Sequence, residues 1–71
     1  MFNEREFNAQ LARKGIKKAE LAEYLGMTYT NLYRKIRDDG KFTREEMGKI
    51  IELLDIKDPA SIFFAETLTQ T

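Results

Sequence analysis

Apolar residues recur every three or four positions along most of the chain, which is the spacing of amphipathic helices. The pattern is clearest in the middle of the chain, where Leu21, Ala22 and Leu25 fall on one helical face. Leu32 and Ile36 form a second apolar stripe, one helical turn apart. The two stripes predict two short consecutive helices that bury these faces.

A three-residue turn, Gly26-Met27-Thr28, separates the two predicted helices. Gly26 follows the first helix at a position that favours a left-handed backbone, which glycine adopts without a Cβ clash. The Thr28 hydroxyl can cap the start of the second helix. A helix, a short turn with glycine and another helix form the helix-turn-helix plan, in which the second helix can enter the major groove of DNA.

Capping boxes predict the starts of two more helices. Asn3 is followed three residues later by Glu6, and Thr43 is followed three residues later by Glu46. In such a box each side chain accepts a hydrogen bond from the other residue's backbone amide. We therefore expect a first helix that begins near Asn3 and a fourth that begins near Thr43.

A fifth helix is predicted near the C-terminus, with Asp58 as N-cap and Pro59 as the first helical residue. The chain is therefore expected to be all-α. The five helices are predicted over about residues 3–14, 17–25, 28–37, 43–54 and 58–65. One domain is expected over residues 1–66, and a short polar tail over 67–71 should fray or form a strand in a dimer.

The composition excludes several kinds of site. Without Cys or His, the chain lacks disulfides, the usual zinc ligands and the usual general base. Its paired acids are adjacent residues in cap or turn positions, so their side chains diverge, and we expect no enzyme activity, metal or cofactor. No apolar run approaches the roughly 20 residues that span a bilayer, and no signal peptide is apparent, so a cytoplasmic location is expected.

The charges are unevenly distributed, although the 12 basic and 12 acidic residues give a net charge of zero. Residues 13–44 contain nine basic and four acidic residues, a net charge of +5, and the two ends of the chain carry −5. Such a dipolar protein can turn its basic side toward a polyanion. The charge distribution therefore favours nucleic acid as a partner.

The second helix begins without a conventional cap, because Lys17 has no side-chain acceptor. Its first amides, together with Lys17 and Lys18, would form a seat for a phosphate group. The alternative is that water satisfies these amides and that both lysines are simply solvated. The third helix adds polar side chains around its apolar stripe. Thr, Asn and Arg can read base edges, and Tyr can contact a phosphate or a thymine methyl group.

These observations predict two sets of DNA contacts. Base contacts are predicted from Tyr29, Thr30, Asn31, Tyr33 and Arg34. Phosphate contacts are predicted from Lys17, Lys18, Thr28, Arg37 and Lys41. The alternative for the third helix is an ordinary solvated face, with Tyr33 packed partly in the core.

The central motif resembles the DNA-binding domain of the phage repressor and Cro family, also called lambda-repressor-like or XRE-type. The resemblance covers about residues 5–64 and rests on Ala19-Glu20-Leu21-Ala22, Leu25-Gly26, Thr28, Leu32 and the Ile50/Leu54 stripe. The stretch from Asp58 to Phe64 is also similar to small phage-derived regulators of Gram-positive bacteria.

The resemblance implies a compact all-α fold whose third helix is the recognition helix. Members of this family commonly bind operator half-sites on double-stranded DNA as dimers and repress or switch transcription. Lys18 stands where Gln is common in the family, and Ile36 stands where many members have an acid. The implied role of Lys18 is therefore a charged phosphate contact.

Three consecutive apolar residues, Ile62, Phe63 and Phe64, cannot all face one core. We expect them, with the tail, to supply the contacts of a homodimer. A protein-binding module with the same fold, such as an antirepressor, is the alternative function. Zero net charge, two acids in the loop at Asp38-Asp39 and exposed tyrosines would suit a protein interface.

Overall fold

The computed structural model of the protein describes residues 1–64, which contain five α-helices and no strand. The helices are α1 (Glu4–Lys14), α2 (Lys18–Leu25), α3 (Tyr29–Arg37), α4 (Arg44–Leu54) and α5 (Ala60–Phe63). The all-α prediction is confirmed, and the predicted ranges of the first four helices are correct to one residue at each end. Within residues 1–64, none of the helices has the length and apolarity needed to cross a bilayer.

Side-chain caps fix the starts of three helices. The side-chain oxygens of Asn3, Thr28 and Thr43 each accept a hydrogen bond of 3.1 Å from the amide three residues ahead. Gly26 ends α2 with a φ of +73°, the left-handed conformation that its position predicts. The caps and this turn confirm the helix-turn-helix plan, with Thr28 as the cap of α3.

The prediction of a capping box at α1 is wrong for one of the two hydrogen bonds. The Asn3 amide donates to the carbonyl of Ile62 at 2.7 Å, and the Glu6 carboxylate instead accepts from the Gln10 side chain at 2.9 Å. A tertiary contact with α5 has replaced the local bond. The N-terminal segment is therefore tied directly to the end of the fold.

The fifth helix is shorter than predicted. It begins at Ala60, with Pro59 in the cap position, so the prediction of Asp58 as N-cap is wrong. The Asp58 backbone carbonyl accepts hydrogen bonds from the Ser61 amide at 3.1 Å and from the Ser61 hydroxyl at 2.7 Å. These bonds form a tight turn ahead of the helix. The predicted end at residue 65, the domain limit at 66 and the tail lie outside the described residues.

The core is built around four phenylalanines. The rings of Phe2, Phe7, Phe42 and Phe63 contact one another with centroid separations of 5.2 to 6.3 Å. They join the N-terminus, α1, the loop before α4 and α5. Aliphatic residues complete the core, chiefly Leu11, Leu21, Ala22, Leu25, Leu32, Ile36, Ile50, Leu54, Ile56 and Ile62.

The burial of α5 corrects the predicted dimer contacts. Ile62 and Phe63 are only 1% and 6% exposed, because both side chains fill the core of their own chain. Neither is available on the surface of the chain for a partner. Phe64, in contrast, is 52% exposed, as expected if three consecutive residues cannot all face one core.

One ion pair joins α3 to α4. The Lys35 ammonium lies 3.3 Å from the Glu46 carboxylate, which also accepts a 2.9 Å hydrogen bond from the Thr43 amide. Partial burial raises the pKa of Glu46, but the Thr43 amide and the Lys35 charge outweigh it and lower the pKa below its ordinary value of 4.5. Glu46 therefore stabilises the fold when it is ionised.

Replacement of Glu46 by Gln is expected to lower the free energy of unfolding by about 1 kcal/mol near pH 7. Because the folded-state pKa lies below the unfolded-state pKa, this contribution is present above the unfolded value and is lost as the pH falls through the folded value. The difference between Glu46→Gln and wild type should therefore shrink below about pH 4. Urea denaturation across a pH series tests this, with Glu52→Gln on the same helix as the control. A difference that does not change with pH would contradict it.

Candidate nucleic-acid interface

The turn between α2 and α3 places α3 across the surface of the domain. Met27 donates its amide to the Ala22 carbonyl at 3.0 Å, which closes the turn after α2. Leu32 and Ile36 are then buried against the core, and the rest of the helix stays largely outside it. One face of α3 is thus fixed by packing and the other is free for a partner.

Arg34 occupies the centre of the exposed face. It lies two residues from both Leu32 and Ile36, so its side chain points about 160° away from each of these buried residues. Thr30 lies one turn earlier on the same face. Among the residues that the structure describes, the Arg34 side chain has no hydrogen-bond or ion-pair partner. Its guanidinium can therefore bind an external acceptor without first breaking an internal contact.

A row of aromatic and basic side chains lies along one edge of this face. The rings of Tyr29 and Tyr33 are stacked with centroids 6.4 Å apart and planes 27° apart. The Arg37 guanidinium carbon lies 5.7 Å from the centroid of the Tyr33 ring. Tyr33 is 45% exposed, so the alternative that it packs in the core is wrong.

The other edge of the face borders a shallow groove of about 350 Å³. Its lining residues all carry polar or charged groups, and three of the five are basic: Asn31, Arg34, Lys35, Asp38 and Lys41. The structure thus brings three predicted contact residues into one concave surface. Lys35 was not predicted, because its position depends on the ion pair with Glu46 on another helix, which the sequence does not reveal.

The two acids after α3 each contact another group of the same chain. Asp39 Oδ1 accepts a 2.9 Å hydrogen bond from the Phe2 amide. Asp38 lies 3.9 Å from the ammonium of Lys41, and both side chains are exposed. Asp39 therefore has a structural role in anchoring the N-terminus. No pattern in the sequence predicts its hydrogen bond with the Phe2 amide.

The start of α2 is only half capped. Glu20 Oε1 accepts from the Lys17 amide at 2.8 Å, but Lys17 offers no acceptor in return. Within residues 1–64, the amides of Lys18 and Ala19 have no hydrogen-bond partner, and the Lys17 and Lys18 ammonium groups have none either. This end of the helix is open to an anion. The start of α2 does not line the groove beside α3. Thr28, the N-cap of α3, lies between the start of α2 and the groove residues in the sequence.

Metal binding has no comparable set of residues in the part of the chain that the structure describes. Within residues 1–64, no group of three or more His, Cys, Asp or Glu side chains is placed to hold a metal ion. The face of α3 around Arg34 and the start of α2 instead present polar and basic groups. The arrangement suits recognition of an extended polyanion with hydrogen-bonding edges.

Comparison with known proteins identifies the family. A search of curated proteins and a search of solved structures gave no match. A family profile described as the Cro/C1-type HTH DNA-binding domain matches residues 6–64, which include all five helices except the first two residues of α1. This family comprises DNA-binding regulatory domains rather than enzymes. The chain therefore belongs to the Cro/C1-type helix-turn-helix DNA-binding domain family.

Proposed function

We propose that the protein is a transcriptional regulator, a repressor or a Cro-like switch protein, that binds a specific double-stranded DNA site through α3. The observation that carries this proposal is the exposed, partner-free guanidinium of Arg34 at the centre of α3. A long charged side chain left unpaired on the recognition helix of a DNA-binding family is suited to a base edge. In the major groove, arginine most often binds the O6 and N7 atoms of guanine.

The residues around Arg34 supply the rest of the base-reading surface in this proposal. Thr30 shares its face, Asn31 lines the adjoining groove, and Tyr29 and Tyr33 flank it on the opposite edge. Hydroxyl and amide groups of Thr and Asn can bond to base edges. All of these side chains are exposed, which supports the proposal.

Phosphate contacts in this proposal come from two places on the domain. Lys17 and Lys18 surround the open start of α2, where free amides and the helix dipole favour an anion. Thr28 accepts the Asn31 amide, so its hydroxyl proton remains free to donate to a phosphate oxygen. Arg37 and Lys41, beyond the centre of α3, hold the backbone on the far side.

A dimer would give such a small domain enough discrimination between DNA sequences. Each wrong base pair costs about 1–3 kcal/mol, so one half-site read by a few side chains gives limited selectivity. Two domains on half-sites about 34 Å apart would double the number of base pairs that are contacted. The exposed Phe64 supports a homodimer contact at the end of α5, without Ile62 and Phe63. Sedimentation of the free protein and of its DNA complex tests this; a monomer in both would contradict it.

The first test of DNA binding is its dependence on salt. We expect wild-type protein to bind a mixed-sequence duplex with a log–log salt slope of several units, since each phosphate contact contributes about 0.9. Lys18→Ala should reduce that slope by about one unit. Fluorescence anisotropy across a salt series measures both values.

Lys49→Ala is the matched control, because it removes the same charge from the exposed side of α4, outside the proposed contact set. It should leave the slope nearly unchanged. Equal effects of the two variants would contradict a phosphate seat at α2. No binding at low salt would contradict the DNA-binding proposal for this chain, and the exposed tyrosines of α3 would then favour the antirepressor-like alternative, in which α3 docks on a protein.

A further inference from the structure

The stacked tyrosines on α3 lie outside the hydrophobic core. Tyr29 and Tyr33 are 51% and 45% exposed, although each ring has a large apolar surface. Tyr29 makes no contact with the aromatic core, which is formed by phenylalanines alone. Two neighbouring aromatic rings that are half exposed on an otherwise polar helix face indicate an external apolar contact.

The tyrosine rings are held in place before any partner arrives. Stacking with a 6.4 Å centroid separation fixes each ring against the other. Arg37 covers the far side of Tyr33, and its guanidinium lies 3.5 Å from the tyrosine hydroxyl. Such pre-ordered aromatic side chains lose little conformational entropy on binding. The row Tyr29–Tyr33–Arg37 is called the tyrosine ladder below.

The ladder lies directly beside the residues proposed to read bases. On the helix surface, Tyr33 neighbours Thr30 and Arg37 neighbours Arg34, since each pair is three residues apart, and Thr30 and Arg34 occupy the exposed centre. If Arg34 lies against base edges, the ladder faces the neighbouring base pairs in the same groove. The major groove has one apolar feature that differs between base pairs, the C5 methyl group of thymine.

We propose that the tyrosine ladder recognises thymine methyl groups, so that the preferred site carries thymines beside the guanine contacted by Arg34. This inference rests on the proposed function, since it requires α3 to lie in the major groove. Burial of each methyl group against a tyrosine ring contributes about a fourfold increase in affinity. Tyr29 and Tyr33 are thus specificity-determining residues that read a methyl group rather than a hydrogen-bonding edge.

Exchange of thymine for uracil tests the inference, because uracil lacks only the methyl group. The probe is a random-sequence duplex pool, from which the full-length protein selects its preferred duplexes. Each selected duplex is then copied with either thymidine or deoxyuridine and titrated by fluorescence anisotropy. We expect wild type to bind the uracil copies about fourfold more weakly for each contacted methyl group.

Variants separate the ladder from a general effect of uracil on the duplex. Tyr33→Ala and Tyr29→Ala should each reduce the thymine preference, and the double variant should bind both copies equally. Tyr33→Phe keeps the ring and should keep the preference. Tyr24→Ala is the matched control, because Tyr24 is also exposed but borders a different groove with Ile16 and Leu53.

Two results would overturn the methyl-reading inference alone: tight wild-type binding to both copies with equal affinity, or an unchanged thymine preference in the double variant. Failure of wild type to bind any duplex at low salt would instead overturn the proposed function as well. Circular dichroism of each variant confirms that it is folded, and we expect no loss of helix because both tyrosines are exposed.

Discussion

Replacement of Gly40 by Ala is expected to lower the free energy of unfolding by about 2–5 kcal/mol, enough to unfold much of the population of so small a domain. Gly40 has a φ of +66°, where an L side chain is strained. A Cβ atom there would also overlap the Phe2 side chain, whose own Cβ would lie 2.7 Å away. Phe2 cannot move aside easily, because its ring packs on Phe7, Phe42 and Phe63.

Substitutions at two other glycines distinguish the cost of backbone strain from the cost of the overlap with Phe2. Gly26 has a similar φ of +73° but open space around it, so Gly26→Ala should cost only about 1–2 kcal/mol. Gly48 lies inside α4 with open space around it, and Gly48→Ala should stabilise the protein by about 0.5–1 kcal/mol. Urea denaturation followed by circular dichroism measures all three. Equal losses at Gly40 and Gly26 would contradict the close approach of Phe2.

Replacement of Arg34 by Ala is expected to weaken binding to the preferred DNA site by about 1–3 kcal/mol, or roughly fivefold to 150-fold. The loss should be concentrated at one base pair, because a bidentate contact with guanine discriminates against other bases. The affinity for unrelated DNA should fall only slightly, because the variant loses a single positive charge. Stability should change little, since Arg34 is exposed and has no partner among the described residues.

Arg44→Ala is the matched control for Arg34→Ala. Arg44 is an exposed arginine that begins α4, outside the exposed face of α3. Its loss should weaken specific and non-specific binding alike, if at all. A uniform loss at Arg34 across all sequences would mean that this residue contacts phosphate rather than bases.

Much of the fold could be predicted because the signals for it are local. Thr28, Thr43 and Gly26 act within a few residues of their own positions, and their chemistry alone sets the helix ends. The apolar stripes similarly identified the buried faces of α2 and α3. The bounds of the first four helices, which depended on such local patterns, are confirmed to within one residue, whereas the local pattern Asp58-Pro59 gave the wrong start for α5.

The other errors occurred where distant parts of the chain meet. The Asn3 amide bonds to Ile62, and the Phe2 amide bonds to Asp39, across separations that no local pattern encodes. Burial of Phe63 depends likewise on the other three phenylalanines. Consecutive apolar residues showed that one must be exposed, but only the fold identified Phe64 as that residue.

The candidate site was partly predictable for the same reason. Exposure of Arg34 follows from its spacing from Leu32 and Ile36 along one helix. The stacking of Tyr29 on Tyr33 required side-chain conformations that spacing permits but does not determine. The position of Lys35 in the groove depends on its ion pair with Glu46 of another helix. Residues whose surroundings come from one element could be assigned, and those shared between elements could not.

Selection from a random-sequence duplex pool tests most directly whether α3 reads DNA sequence. Wild-type protein is incubated with the pool at moderate salt, and the bound duplexes are amplified and sequenced. The account predicts enrichment of one motif that contains a guanine with thymines beside it, and loss of the guanine preference in Arg34→Ala. Salt-dependent binding that enriches no motif would contradict the account, because the basic surface would then hold DNA without reading it.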